Sequence, residues 1–163
     1  MIENHIVETH LHPPAVSDDW IGPQPEYLRY GPNQMIVSFQ AGVRTGVDRL
    51  VDLADEQFGG NKQKAGKLTS KVLEELSERY FYPTFAKLRI TNWDEFEVLI
   101  ALDEKEFLND ILHHVLDYTI QLEQRETNTS FSIVFHFFPK TESYYEKKVI
   151  SDGYVYSHKS LIP

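Results

Sequence analysis

Two histidines near the start of the chain have the spacing of metal ligands. His10 and His12 are separated by one residue. Alternate residues of a strand face the same way, so both imidazoles can reach one zinc or iron ion. Asp18 or Asp19 can supply a carboxylate, although Pro13-Pro14 fits an exposed arm equally well. One hypothesis is therefore a small metal-dependent enzyme that uses His10 and His12.

A lysine-rich stretch after Gly59-Gly60 has the composition of an anion site. A P-loop needs four residues between its glycines, then a lysine and a hydroxyl residue. Gly60 and Gly66 enclose five residues, and Leu68 stands at the hydroxyl position. A P-loop is excluded, but lysines at a helix N-terminus can still bind an anion. The second alternative is a nucleotide or anion sensor, with these ligands: Lys62, Lys64 and Lys67.

The remaining polar residues of the centre form no catalytic set. His136 lies in an apolar strand and would need a hydrogen-bond partner if buried. His113 and His114 point about 100° apart on a helix, which does not favour a shared ligand. No serine or threonine stands in a recognisable nucleophile motif. We therefore predict no catalytic residue and no cofactor.

Large aromatic residues are the best candidates for protein binding. Two lie in an arm broken by proline and glycine, and four lie in a lysine-containing run near the C-terminus. Aromatic side chains give a large contact area at a low cost in entropy. The predicted binding residues are Trp20, Tyr27, Tyr144, Tyr145, Tyr154 and Tyr156.

Hydrophobic periodicity predicts the helices that would position these groups. Residues 47–58 fit one helical face, and Gly59-Gly60 is expected to end that helix. A second helix is expected over residues 62–81, before Pro83. A third is expected from Asp103, with a capping box to Glu106, as far as Glu123.

Short apolar runs predict the strands. They are residues 35–39, 85–90, 96–102 and 131–138, with a hairpin at Asp152-Gly153 between residues 144–150 and 154–158. The run 96–102 has little alternation and is expected to be covered on both faces.

The order of these elements predicts the fold. It is β-α-β-β-α-β, which indicates an α+β protein of the ferredoxin-like kind, with a mixed or antiparallel sheet and helices on one face. We expect a single domain, with an irregular arm over residues 1–34, a core over 35–138 and a C-terminal hairpin over 139–163.

Charge and composition limit the function. The chain of 163 residues has a net charge of −9 and no cysteine, which excludes thiolate metal sites and cysteine nucleophiles. An acidic surface disfavours broad nucleic-acid binding, and no apolar run predicts a membrane segment. Without a basic leader, a cytoplasmic location is expected.

The leading hypothesis is a non-catalytic, acidic protein-binding module. The expected partner is another protein, the acidic charge favours a basic one, and a homo-oligomer is the alternative. An accessory subunit of a bacterial assembly and an immunity-type inhibitor both fit the acidity and the size of the chain.

Overall fold

Five strands and four α-helices make up the part of the chain described by the computed structural model. That part is residues 18–22, 49–143 and 146–161, with the backbone alone for residues 49–53. The elements in chain order are β1 (Trp20–Ile21), α1 (Arg49–Glu78), β2 (Phe85–Asn92), β3 (Glu95–Asp103), α2 (Glu104–Phe107), α3 (Leu112–Glu126), β4 (Ser132–Lys140), α4 (Glu146–Ser151), β5 (Tyr156–His158) and a 3-10 helix (Lys159–Leu161). No helix among these residues is long and apolar enough to cross a membrane.

The strands form one mixed sheet in the order β1-β5-β2-β3-β4. Among the described strands only β3 and β4 are parallel, and they are joined through α2 and α3. The α+β class is thus confirmed. The ferredoxin-like order is not confirmed, because β3 and β4 are direct neighbours, whereas a split βαβ places another strand between them. The strand predicted at residues 35–39 lies outside the described residues.

Helix α1 is a single helix of 30 residues, so the predicted break at Gly59-Gly60 is wrong. Each glycine costs about 1 kcal/mol in a helix. Packing on both sides of the pair outweighs this cost. Phe58 is buried before it, and Asn61 after it donates hydrogen bonds to the carbonyl oxygens of Ser130, at 2.9 Å, and of Trp93, at 3.3 Å.

The predicted third helix is divided into α2 and α3. Asp103 makes no side-chain capping bond, and Glu106 instead accepts a hydrogen bond from the backbone N–H of Tyr82 at 3.0 Å. The break follows from Asn109, whose side-chain oxygen accepts the N–H of Ile111 at 3.0 Å. Asparagine side chains compete in this way with helical hydrogen bonds.

The predicted C-terminal hairpin is also wrong. Glu146–Ser151 is helical, and Gly153 has a φ of 96°, which is the left-handed conformation that ends many helices. The Gly153 N–H donates to the Ile150 carbonyl at 3.0 Å and the Tyr154 N–H to the Val149 carbonyl at 3.2 Å. Asp152-Gly153 therefore closes a helix and does not turn a hairpin.

The two faces of the sheet have different cover. The face that we call the inner face packs against α1 and α3, and Phe96 lies between the rings of Phe58 and Phe131 at centroid distances of 6.4 and 5.5 Å. The opposite, outer face is partly covered by α4 and the residues after it, where Val149 and Ile150 are buried. Strand β3 accordingly buries Phe96, Val98, Ile100 and Leu102 completely on the inner face and leaves Glu97 and Leu99 half-buried on the outer face.

Candidate functional site

Most of the residues predicted to carry function lie outside the described residues or inside the core. His10, His12, Tyr27, Tyr144 and Tyr145 are outside, so their predicted roles stay predictions. Within the described ranges, no group of three histidine, aspartate or glutamate side chains is placed to hold a metal ion.

Trp20 is buried where β1 joins the sheet. Its ring meets the ring of His158 edge-on, at a centroid distance of 5.1 Å. His158 in turn lies 3.2 Å from the Ser70 hydroxyl on α1 and 2.7 Å from the Ser160 hydroxyl. Burial lowers the pKa of His158, and neither the Asp19 carboxylate nor the Gly66 backbone offsets this effect. Trp20 thus connects β1 to the core, and binding a partner would require it to leave that position.

Tyr154 and Tyr156 are buried as well, on opposite faces of the sheet. Burial raises the pKa of Tyr156 to about 12, with a smaller effect of Asp18. Burial also raises the pKa of Tyr154 to about 12, opposed by Arg89 and supported by Glu97. Neither ring presents an exposed surface, so a binding role for these tyrosines stays a prediction without a visible contact area.

Two of the three lysines predicted to bind an anion already contact carboxylates. Lys62 pairs with Asp18 at 2.7 Å, and Lys64 pairs with Glu126 at 3.2 Å. Hydrogen bonds from Lys64 and Arg125 lower the pKa of Glu126. Only Lys67 of the set is exposed. An anion at this place would have to displace two ion pairs.

A polar network lies on the outer face of the sheet. Its centre is one oxygen of Glu97, which accepts a hydrogen bond from Arg89 and another from the Tyr154 hydroxyl at 3.3 Å, and which lies 3.2 Å from His136. Arg89 also donates to the Asp152 carbonyl at 3.1 Å and lies over the Tyr154 ring at 4.8 Å. These bonds tie the residues after α4 to β2 and β3.

The electrostatics of this network favour a structural role. Burial acts to raise the pKa of Glu97, but the hydrogen bond and charge of Arg89, together with Tyr154 and His136, lower it below its usual value. The carboxylate therefore stays charged, and its bonding oxygen already has three partners. Beside it, burial lowers the pKa of Lys87, against the opposing charge of Glu146 at 3.8 Å. His136 is exposed, so the condition under which it would need a buried hydrogen-bond partner is not met, although it does contact Glu97.

The two helix histidines are exposed. Their rings lie 3.9 Å apart between centroids, closer than their angular separation on the helix suggests. His113 contacts the backbone carbonyl of Asp110 through Nδ1. This contact uses one ring nitrogen at the N-terminus of α3 and gives His113 a local structural role.

Large exposed side chains lie on two segments, one where α1 passes into β2 and one between α2 and α3. We call Tyr80, Tyr82, Leu108 and Ile111 the corner surface; they are 80%, 62%, 71% and 49% exposed. Phe85 pairs with Ala101, so the residues before β2 lie beside those after β3. The bond between Glu106 and the Tyr82 N–H holds the two parts together. Between Tyr80 and Tyr82, Phe81 is buried in the core.

Tyr80 has a backbone conformation that favours glycine. Its φ is 64°, and it stands where α1 ends. The Tyr80 N–H donates to the Ser77 carbonyl at 3.0 Å and the Phe81 N–H to the Leu76 carbonyl at 2.9 Å, which is the helix-ending motif that usually contains glycine. A bulky residue in this conformation is strained. The Tyr80 ring is exposed, so burial of the side chain does not offset this strain.

The corner surface has an acidic rim. Residues 74–82 and 103–117 together contain eight acidic and two basic side chains. One of the bases, Arg79, is paired with Glu75 at 2.7 Å. The negative field around the apolar residues is therefore largely uncompensated within these two segments.

No family model, no curated protein and no solved structure matches the chain.

Sequence reasoning missed Arg89, Glu97 and the corner surface for the same reason. Their positions follow from the register of β2 and β3. This register pairs Arg89 with Glu97, and it pairs Phe85 with Ala101 beside the corner surface. The one usable signal was the opposite charge of Arg89 and Glu97 in two predicted strands that follow each other closely in the chain.

Proposed function

We propose that the protein is a non-catalytic, acidic binding module whose corner surface binds a basic, amphipathic segment of another protein. The observation that supports this most directly is the exposure of Tyr80, Tyr82 and Leu108, which are 80%, 62% and 71% exposed. Aromatic and aliphatic side chains grouped in this way are typical of the centre of a protein interface.

The charges define the chemistry of the partner. Acidic side chains around an apolar centre attract lysine and arginine and repel acidic proteins and nucleic acids. A helix with apolar residues on one face and basic residues beside them matches this arrangement. An accessory subunit of a larger assembly and an inhibitor of a basic protein both belong to this proposal.

The strain at Tyr80 provides the first test. Replacing Tyr80 with glycine removes the ring and relieves the left-handed backbone. We therefore expect Tyr80→Gly to stabilise the fold by about 0.5 to 1 kcal/mol and to weaken partner binding at the same time. Urea denaturation measures the first effect. A purely structural role for Tyr80 predicts no loss of binding.

The probe is a labelled helical peptide of leucine and lysine with a period of 3.6 residues, measured by fluorescence anisotropy. We expect it to bind at least about tenfold more tightly than the same peptide with glutamate for lysine, which corresponds to ~1.4 kcal/mol. The affinity should fall with added salt. Tyr80→Gly and Leu108→Ser should each weaken the binding of the basic peptide.

Val134→Ser is the matched control, because Val134 is also exposed but lies on the outer face. It should bind the peptide as the natural protein does. Equal binding of the basic and acidic peptides, or an equal loss in the control variant, would contradict the proposal. The metal-dependent and anion-sensor alternatives stay predictions, and no contact among the described residues favours either.

A further inference from the structure

Strand β4 is the last strand of the sheet, and one of its edges has no strand partner among the described residues. The Ser132 N–H donates to the Asp94 carbonyl at 2.6 Å, and the Phe131 carbonyl accepts the Asn128 N–H. Even-numbered residues of β4 therefore turn their backbone groups toward β3, and odd-numbered residues turn theirs toward the edge. Residues 127–138 contain no lysine, arginine, aspartate or glutamate. Long uncharged edges of this kind add further strands readily.

One side chain occupies the middle of this edge. The carboxylate of Glu123, on α3, accepts a hydrogen bond from the backbone N–H of Phe135 at 2.7 Å. It takes the place that the carbonyl of an added strand would fill. A charge placed at a sheet edge is a common means of preventing strand addition.

The same side of α3 is apolar on its outer surface. Leu116 and Ile120 are both exposed, and they precede Glu123 by seven and three residues. Residues at such spacings share one side of a helix. If a strand were added beside β4, the residues that precede or follow that strand would pack against Leu116 and Ile120.

We propose that the β4 edge is a self-association site for a second copy of this chain, and that Glu123 holds the site closed. In the associated form the two β4 strands pair antiparallel about a two-fold axis at Phe135, and the two α3 helices meet through Leu116 and Ile120. Opening the site requires Glu123 to release the Phe135 N–H.

A second copy fits the edge by charge and by pattern. About this axis Val134 lies opposite His136 of the other copy, and Ile133 lies opposite Phe137. Ser132 lies opposite Phe138, and Lys140 lies beyond the paired residues, so no like charges face each other along the strands. In the dimer the two Glu123 carboxylates would approach the axis from both copies and repel each other. Removing Glu123 therefore frees the Phe135 N–H and also removes this repulsion. This inference does not depend on the corner surface.

The test is the dependence of molar mass on concentration, measured by sedimentation. We expect Glu123→Ala to form a dimer with a dissociation constant at least tenfold lower than that of the natural protein. Glu123→Gln keeps an acceptor for the Phe135 N–H and should fall between the two. Gln124→Ala, at the next and exposed position of α3, is the matched control and should behave as the natural protein. Adding Leu116→Ser and Ile120→Ser to Glu123→Ala should restore the monomer.

Hydrogen exchange at the Phe135 amide distinguishes the possible occupants of the edge. In Glu123→Ala the amide should exchange faster than in the natural protein when dilute and become protected as the concentration rises. A folded Glu123→Ala that stays monomeric at every concentration would overturn the proposal. Protection of the Phe135 amide that does not depend on concentration would mean pairing within one chain and would also overturn the proposal. Open-ended association without a discrete dimer would overturn it as well.

Discussion

The inner and outer faces of the sheet are covered in different ways. The inner face is covered by two helices and buries apolar side chains completely, as at Val98 and Ile100. The outer face is half-covered by a short helix and joins its cover to the strands through a charged network around Glu97. Apolar burial provides most of the stability of a fold, whereas a partly exposed ion pair contributes little. The inner face should therefore determine stability, and the outer face should determine where residues 146–154 lie.

The largest expected difference is between two neighbouring residues of β3. Ile100→Ala leaves a cavity on the inner face and should lower the free energy of unfolding by about 3 kcal/mol. Leu99→Ala removes a half-buried side chain from the outer face and should cost about 1 kcal/mol. Urea denaturation of both variants measures the difference. Equal losses would mean that the two faces are equally packed, which would refute the comparison.

The next effect concerns the helix that covers the inner face. A Cβ atom at Gly66 would lie 2.9 Å from the Cβ of Asp19 and 3.1 Å from Nε1 of Trp20, whereas at Gly60 it would meet nothing within 4 Å. Gly66→Ala should therefore destabilise the fold by about 1 to 3 kcal/mol through overpacking. Gly60→Ala should stabilise it by about 1 kcal/mol. Thermal unfolding shows the two signs, and a stabilising Gly66→Ala would show that β1 does not pack closely on α1.

The outer network should have a smaller effect. Glu97→Ala leaves Arg89 without its carboxylate and should cost about 1 to 2 kcal/mol. Glu95→Ala, at an exposed position two residues earlier, should cost much less. A double-mutant cycle with Arg89→Ala isolates the pair. Additive losses would indicate that the network does not act as a unit.

The smallest effect is a dependence on pH that differs between the faces. The pKa of His158, on the inner face, is lowered by burial from 6.5, so the unfolded chain takes up a proton first as the pH falls. Stability should therefore decrease below pH 6.5 and level off below the pKa of the folded state. His158→Gln should remove this decrease. Urea midpoints at about pH 7.5 and about pH 5.5 measure it.

Glu97 on the outer face should respond in a lower range. Its pKa in the folded state is below 4.5, so its contribution is complete above that pH and is lost as the pH falls through the folded value. Glu97→Gln should flatten the profile only in this acidic range. If Glu97→Gln instead removed the decrease in stability below pH 6.5, that decrease would belong to the outer face and not to His158.

The strands that form the centre of the sheet were predictable because their signal is local. Each of β2, β3 and β4 contains a short apolar run of the length typical of a buried strand. The errors arose where local signals are ambiguous. Gly59-Gly60 is typical of a helix end, but the burial of Phe58 and the hydrogen bonds of Asn61 hold α1 together across the pair. Asp152-Gly153 suits both a hairpin and the end of a helix. The residues that form the surface were harder to predict. Trp20 and Tyr156 are of residue types that are common at interfaces, and only the fold shows that they are buried.

The sequence alone determined the α+β class, the centre of the sheet and the acidic character of the chain, since composition and hydrophobic period are properties of short segments. The tertiary structure decided the order of the strands, the continuity of α1 and the exposure of Tyr80, Tyr82 and Leu108. It also placed Glu123 at the open edge of β4. These features depend on contacts between residues that are distant in the chain, and such contacts have no signature in a local pattern.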